Sequence, residues 1–197
     1  SITVKTSESN HWYPGKITVE GTFGGEAITV YGGRWIGTGE QTLSPDDNVY
    51  EVVIKTADCN NAGTDANISL YLEDAKGNVT TKQDLSDIHQ DKNAFEKGDQ
   101  DTFWIYAPDG FEKVENTYIS SDHANSAAGW KLEYFTVKKV SGKFSDNGYT
   151  FYSGQWFEEE RTIQFGKNSG GTGAFYVEVK TQDASNAGTD SNIYLTI

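Results

Sequence analysis

The chain contains no methionine and a single cysteine, Cys59, among 197 residues. One cysteine permits no intramolecular disulfide, which excludes the small secreted disulfide scaffold, and the place answering to Cys59 in a later copy of the same segment holds Ala184, so the thiol reads as a small loop residue. Without methionine, a core drawn from 36% hydrophobic residues has to lean on Tyr, Phe and Trp, which make up 13% of the chain. Basic residues are also scarce: 16 Lys and Arg against 29 Asp and Glu leave a net charge of -13. Phosphate recognition needs clustered cations, so nucleic acid is excluded as a partner, and an anionic bilayer is repelled unless a cation intervenes. No apolar run approaches the roughly 20 residues that span a bilayer. The amino-terminal Ser1-Ile-Thr-Val-Lys5 has no signal-peptide pattern, so any export signal is expected outside these residues. Only His11, His89 and His123 are present, in unrelated segments with no zinc-hydrolase spacing and no serine nucleophile elbow. Glu158, Glu159 and Glu160, or Asp99 with Asp101, could be imagined as paired glycosidase acids, but acids this common on an acidic surface do not support that reading.

What the chain does have is internal repetition. Tyr50-Glu-Val-Val-Ile-Lys-Thr56, with Asn61-Ala-Gly-Thr-Asp65 and Asn67-Ile-Ser-Leu70, returns as Phe175-Tyr-Val-Glu-Val-Lys-Thr181, Asn186-Ala-Gly-Thr-Asp190 and Asn192-Ile-Tyr-Leu195, 125 positions later. A second echo, Val19-Glu-Gly-Thr-Phe23 with Tyr31-Gly-Gly-Arg-Trp35, returns as Val140-Ser-Gly-Lys-Phe144 with Tyr152-Ser-Gly-Gln-Trp156, 121 positions later. The unit is therefore about one domain long, far above the 20 to 50 residues of solenoid repeats. This predicts residues 1–45 as the closing part of one unit, 46–167 as a complete unit and 168–197 as a linker with the first strands of another.

Short runs rich in Val, Ile, Thr, Tyr and Phe, separated by Gly, Asn and Asp, predict an all-β antiparallel sandwich. Strands are expected at Ile2–Thr6, Lys16–Gly21, Ala27–Tyr31, Tyr50–Thr56, Asn67–Leu72, Asn78–Lys82, Asp101–Ala107, Lys113–Ser120, Lys131–Lys139, Tyr149–Tyr152 and Tyr176–Lys180. Lys-Gly at 76–77 and Asn-Gly at 147–148 supply hairpin turns, and 84–94 reads as a loop or one helical turn. Trp35, Trp104, Trp130 and Trp156 are expected in the core.

The loop after the first strand of the complete unit gathers Asp58, Asn60, Asn61, Thr64 and Asp65 around Gly63. Calcium takes six to eight hard oxygens in flexible geometry, and such a loop offers carboxylate, amide and carbonyl oxygens. The spacing is not that of an EF-hand, so a distant loop has to complete a site; Asp122 and Asn125, ahead of Trp130, are the expected contributors. The alternative is a tight turn with Asx caps and no metal. Asn186, Gly188 and Asp190 repeat the loop.

Together, Asn61-Ala-Gly-Thr-Asp65, Phe95-Glu-Lys-Gly-Asp-Gln-Asp-Thr-Phe103, Gly129-Trp-Lys-Leu132 and the terminal Trp156 resemble the PLAT or LH2 domain, the C2-like β-sandwich of lipoxygenases, lipases and bacterial phospholipases. Within that family the resemblance is strongest to the C-terminal domain of clostridial alpha-toxin. It implies an eight-stranded antiparallel sandwich and a non-catalytic binding role. It also implies calcium held between loops matching 61–65 and 122–129. Asn61 stands where the toxin domain has an aspartate and Gly129 falls near its second carboxylate, which lowers the charge of such a site. The toxin's late loop carries aromatics suited to a bilayer interface, whereas Asp122-His-Ala-Asn-Ser-Ala-Ala-Gly129 carries none. Trp12 and Tyr13, adjacent in the matching stretch of the leading unit, are the candidate membrane or ligand contacts.

The functional expectation is a secreted or cell-surface module that docks, with calcium, to a lipid headgroup or protein partner. A head-to-tail structural array, self-associating through its incomplete end units, is the first alternative. An accessory targeting domain of a secreted hydrolase is the second.

Overall fold

The computed structural model of the chain describes residues 1–7, 11–21, 25–89, 93–142 and 148–166. The expected strand at Tyr176–Lys180, the loop holding Asn186, Gly188 and Asp190, and the whole 168–197 segment lie outside the described residues. In chain order the elements are β1 (Ile2–Thr6), β2 (Lys16–Val19), β3 (Ile28–Tyr31), β4 (Gly39–Leu43), β5 (Val49–Thr56), β6 (Ile68–Asp74), β7 (Gln83–Asp84), α1 (Leu85–Ile88), β8 (Gln100–Tyr106), β9 (Val114–Ser121), β10 (Trp130–Ser141), β11 (Tyr149–Phe157) and β12 (Arg161–Gly166). No described helix is long and apolar enough to cross a membrane.

From β5 onward the strands form two four-stranded antiparallel sheets, ordered β11-β10-β5-β8 and β12-β9-β6-β7. Their inner faces follow the period-two alternation of the strands: Tyr50, Val52 and Ile54 of β5 and Ile68, Leu70 and Leu72 of β6 are buried, while Glu51, Lys55, Ser69 and Tyr71 are half-exposed. The two faces close on one core that is heavily aromatic, as the lack of methionine requires. Phe95 meets Trp130 edge-on at 5.3 Å, and Phe135 meets Phe165 edge-on at 5.0 Å. Burying each such ring contributes about 1.5–3 kcal/mol, so these contacts hold the sheets together.

The leading 45 residues pair among themselves: β1 with β4, in a ladder from Ile2↔Leu43 to Thr6↔Gly39, and β2 with β3. This nesting matches that of the last four strands, where β9 pairs with β12 and β10 with β11. Val30, Ile36 and Leu43 form a small core of their own. The piece is seated on the β8 edge of the large sandwich. Tyr106 N donates to Gly33 O at 2.8 Å, and the Arg34 guanidinium lies 3.2 Å from Asp47 Oδ2 and 4.1 Å above the Tyr106 ring. Gly33 has φ +63°, and a Cβ there would fall 2.7 Å from Tyr106 N, so only glycine allows this approach.

Three sequence expectations are corrected. The expected strand at Asn78–Lys82 is absent apart from a Val79↔Glu73 bridge, because the Asp74 side chain caps the 74–78 turn and draws the chain away. β4 and β12 were not anticipated: Gly39-Glu-Gln-Thr-Leu43 has little apolar signal, and Arg161-Thr-Ile-Gln-Phe-Gly166 shows only the short alternation Ile163, Phe165, so both are fixed as strands by their partners. Of the four tryptophans assigned to the core, only Trp130 is fully buried, since Trp35 is 42% exposed and Trp104 and Trp156 are half-buried.

Candidate functional site

One end of the large sandwich is built from the β5–β6 loop and the β9–β10 loop. At its start Thr56 N donates to Asp99 O and Ala57 N to Lys131 O, which ties the loop to both neighbouring segments. Asn61 then turns the chain at φ +61°, a left-handed conformation that Asn tolerates. Gly63 is fixed by packing. A Cβ at Gly63 would lie 2.8 Å from Lys97 N and 3.2 Å from Phe95 O, so the residue is small because the 95–97 backbone packs directly on it. Gly63→Ala is expected to destabilise the chain by about 1–3 kcal/mol, read as a lowered urea midpoint.

The two loops are laced together. Asp65 N donates to Ala127 O at 3.0 Å, Thr64 Oγ1 to Ala128 O at 3.1 Å, Asn125 Nδ2 to Asp65 O at 2.7 Å, and Lys131 N to Ala62 O at 3.0 Å. The expected pairing of 61–65 with 122–129 is therefore present, but the proposed ligands are not brought to one point. The Asp122 carboxylate is engaged by Asn67 N at 2.9 Å, Asn67 Nδ2 at 2.7 Å and Ala124 N at 3.0 Å. Burial pushes its pKa up, yet the hydrogen bonds from Ala124 and Asn67 outweigh this and hold it below the usual carboxylate value. Exposed Asp58 lies 3.5 Å from Lys97 Nζ. Among the described residues no three His, Cys, Asp or Glu side chains gather closely enough to hold a metal.

What the loops do enclose is a groove of about 600 Å³ lined by Asn60, Asn61, Ser126, Ala127, Gly129, Trp156 and Glu158. Glu158 escaped the sequence reading as a ligand because it sits in an acidic triplet. The signal that could have found it is register: Trp130 pairs with Phe157, which sets Glu158 beside the Gly129 backbone. Two amide side chains and one carboxylate line it, beside the Trp156 ring and the small residues 127–129. Side-chain oxygens of amides and a carboxylate are donors of the kind that calcium takes.

Trp12 and Tyr13 part company. The Tyr13 hydroxyl lies 2.7 Å from Gly33 O and 2.8 Å from Trp104 O, sharing its single hydrogen, and burial pushes its pKa far up. Tyr13 is thus a strut between the leading piece and β8. Trp12 bridges Ile36 in the leading ladder and is 44% exposed at the mouth of a second groove, of about 730 Å³, against Ile88, His89 and Trp104. His89 sits half-buried with Nε2 3.2 Å from Asp101 Oδ1.

With this geometry in place, the comparison with known proteins is direct. The PLAT/LH2 domain family matches residues 50–165, more than half the chain. The chain belongs to the PLAT/LH2 domain family. The match covers the two four-stranded sheets and leaves the leading piece outside. Two curated relatives, the human and mouse lipoxygenase homology domain-containing protein 1, are each 29% identical over 160 residues. The alignment takes 78% of this chain but only 7% of either relative, so the chain spans a small part of their length. Among solved structures, coral 8R-lipoxygenase, whose description names calcium activation through a C2-like domain, aligns at TM-score 0.49 and 24% identity over 58% of this chain and 16% of its own. Alpha toxin from Clostridium absonum aligns at TM-score 0.48 and 24% identity over 60% of this chain and 31% of its own.

Proposed function

We propose that this PLAT/LH2 chain is a non-catalytic docking module of a secreted or cell-surface protein. Its docking end is the groove beside Asn61, where calcium binds weakly and recruits a lipid headgroup or an anionic protein surface. The observation that carries the reading is that Asn60, Asn61 and Glu158 line one groove together with the 126–129 segment. Glu158 and the two amides hold the ion, Asn125 and Thr64 keep the loops laced beneath it, and Asp122 stiffens the late loop through Asn67. Bound calcium supplies positive charge to a chain carrying -13, which otherwise repels anionic partners.

A dissociation constant on the order of 10⁻³ M, the range of low-charge extracellular sites, gives about 1.4 kcal/mol of stabilisation at roughly 10 mM calcium. Thermal melting is expected to show a rise of a few degrees with calcium and not with magnesium, and Glu158→Gln is expected to remove most of it. An unchanged melting temperature at that calcium concentration sinks the reading.

A second reading concerns architecture: residues 1–45 are the closing strands of a preceding unit, 46–167 a complete unit, and 168–197 the opening of a following one. The nested pairing of β1–β4 and β2–β3 supports it by matching β9–β12 and β10–β11. So does the place of Trp12, which bridges Ile36 as Trp130 pairs with Phe157.

A further inference from the structure

We infer that the outer face of the β12-β9-β6-β7 sheet holds a binding groove for a neutral oligosaccharide, read by a row of hydroxyls centred on Ser120. The groove lies wholly within the two large sheets and is independent of the calcium reading of the Asn61 groove.

Register builds the row. Ser69 pairs with Asp84 on one side and with Ser120 on the other, and Ser120 pairs in turn with Thr162. Residues directly opposite one another share a face. Ile68 and Leu70, on either side of Ser69, are buried in the core, so Asp84, Ser69, Ser120 and Thr162 all lie on the outer face. With strands about 4.8 Å apart, the row runs roughly 14 Å across the sheet, longer than a single sugar ring. A groove of about 320 Å³ opens along it.

Ser120 distinguishes this row from an ordinary solvated face. Its outward-facing neighbours Ser69, Tyr118 and Thr162 are half-exposed or exposed. Ser120 is 8% exposed, and its Oγ has no hydrogen-bond partner among the described residues. Buried hydroxyls in folded proteins are paired, and one left unpaired is costly. Since Ser120 lines the groove, a ligand hydroxyl entering there supplies the missing partner. Three other groups of the lining are already engaged: Asp84 Oδ1 by Ser86 N at 3.0 Å, Asp122 Oδ2 by Asn67 Nδ2 at 2.7 Å, and Arg161 Nη2 by Gln155 Oε1 at 2.9 Å. The Ser69, Ser120 and Thr162 hydroxyls, the Lys82 ammonium and the Glu160 carboxylate remain to meet a ligand.

That lining selects the class of ligand. Among the described residues no apolar side chain lines the groove, so it offers nothing to an acyl chain or to the apolar anchors of a docking peptide. Lys82 and Arg161 stand against Asp84, Asp122 and Glu160, so a phosphate or sulfate meets no net attraction, least of all on a chain carrying -13. Hydroxyls that both donate and accept, beside one free cationic donor and one free anionic acceptor, match a neutral polyol. The next row on the same face adds an aromatic ledge. Tyr71 and Tyr118 pair there and stack at 4.4 Å, and the Tyr118 hydroxyl donates to Glu73 Oε2 at 2.8 Å, which fixes the rings. The negative face of such a ring suits the C–H edge of a sugar.

Affinity electrophoresis of the full chain through gels carrying a neutral β-glucan, mannan, xylan or galactan tests the assignment. Retardation in at least one gel is expected, unchanged by a calcium chelator and by Glu158→Gln. Ser120→Ala combined with Ser69→Ala should weaken it roughly tenfold, the loss of two hydrogen bonds. Ser120→Ala alone should leave or raise the melting temperature of the free chain, because the hydroxyl removed has no partner to lose. A lowered melting temperature shows Ser120 to be a packing residue and overturns the inference. So does migration unaffected by all four polysaccharides, retardation that survives both substitutions, or binding only to heparin or to phosphatidylcholine vesicles. Retardation abolished by chelation assigns the sugar to the Asn61 groove and overturns it as well. The melting response to calcium reads the other groove, so the two readings fail separately.

Discussion

Replacing Trp130 with alanine is expected to destabilise the chain by about 3–5 kcal/mol, the cost of emptying a fully buried aromatic site. The indole is 0% exposed, lies edge-on to Phe95 at 5.3 Å and meets Phe157 at 5.0 Å, and its Nε1 donates to Thr56 Oγ1 at 3.0 Å. It stands at the start of β10, where Lys131 N also holds the site loop through Ala62 O. Denaturant melts are expected to show the loss together with a weakened calcium response, because the cavity opens beneath the groove. Trp130→Phe should restore much of the packing but leave Thr56 without its donor, a residual of about 1 kcal/mol. Trp12→Ala removes an indole from the analogous ladder place in the leading piece. With 44% exposure there, it should cost far less in the monomer, and equal losses would refute this account of Trp130.

Asp74→Ala is expected to cost about 3 kcal/mol, since one nearly buried carboxylate satisfies four donors and its removal strands them. Lys76 N lies at 2.9 Å, Asn78 N at 2.8 Å, Asn78 Nδ2 at 2.8 Å and Glu112 N at 3.0 Å. The carboxylate thus closes the β6 turn and fastens the segment that enters β9. Burial pushes its pKa up, but the bonds from Glu112, Asn78 and Lys76 outweigh this and hold it below the ordinary value. A group depressed in the folded state contributes fully above its unfolded pKa, about 3.9, and loses that contribution as pH falls through the lower folded value. Asp122 is depressed in the same direction through Ala124 and Asn67. Stability measured against pH should therefore fall on acidification below about 4. Asp74→Asn should be less stable at neutral pH with a flatter acid limb, and a limb as steep as that of the parent chain would show the carboxylate to be unimportant.

The strands that read clearly in the sequence are those whose side chains alternate strongly. Tyr50-Glu-Val-Val-Ile-Lys-Thr56 has to bury one face wherever it folds, so β5 was legible in full, as were β8, β9 and most of β10. β4 and β12 were not: Gly39–Leu43 buries only Leu43 and takes its extended form from β1, and Arg161–Gly166 offers only Ile163 and Phe165 as a short stripe that gains meaning once β9 pairs with it. At the candidate site the sequence located both loops, since Asn61-Ala-Gly-Thr-Asp65 and the segment before Trp130 are local patterns. It could not say which carboxylates were free. Asp122 is occupied by Asn67, far away in sequence, and Glu158 reaches the groove only through the Trp130↔Phe157 register.

By itself the sequence determined the all-β class, the PLAT/LH2 resemblance, the aromatic character of the core and the repeat, because alternation, composition and self-similarity are properties of the chain taken in order. Tertiary structure alone decided that Gly63 is small for the sake of the 95–97 backbone and that Tyr13 is a strut while Trp12 stays bare. Those outcomes depend on which distant segment arrives at each surface, and hydrogen-bonding capacity and exposure have no value until that segment is in place.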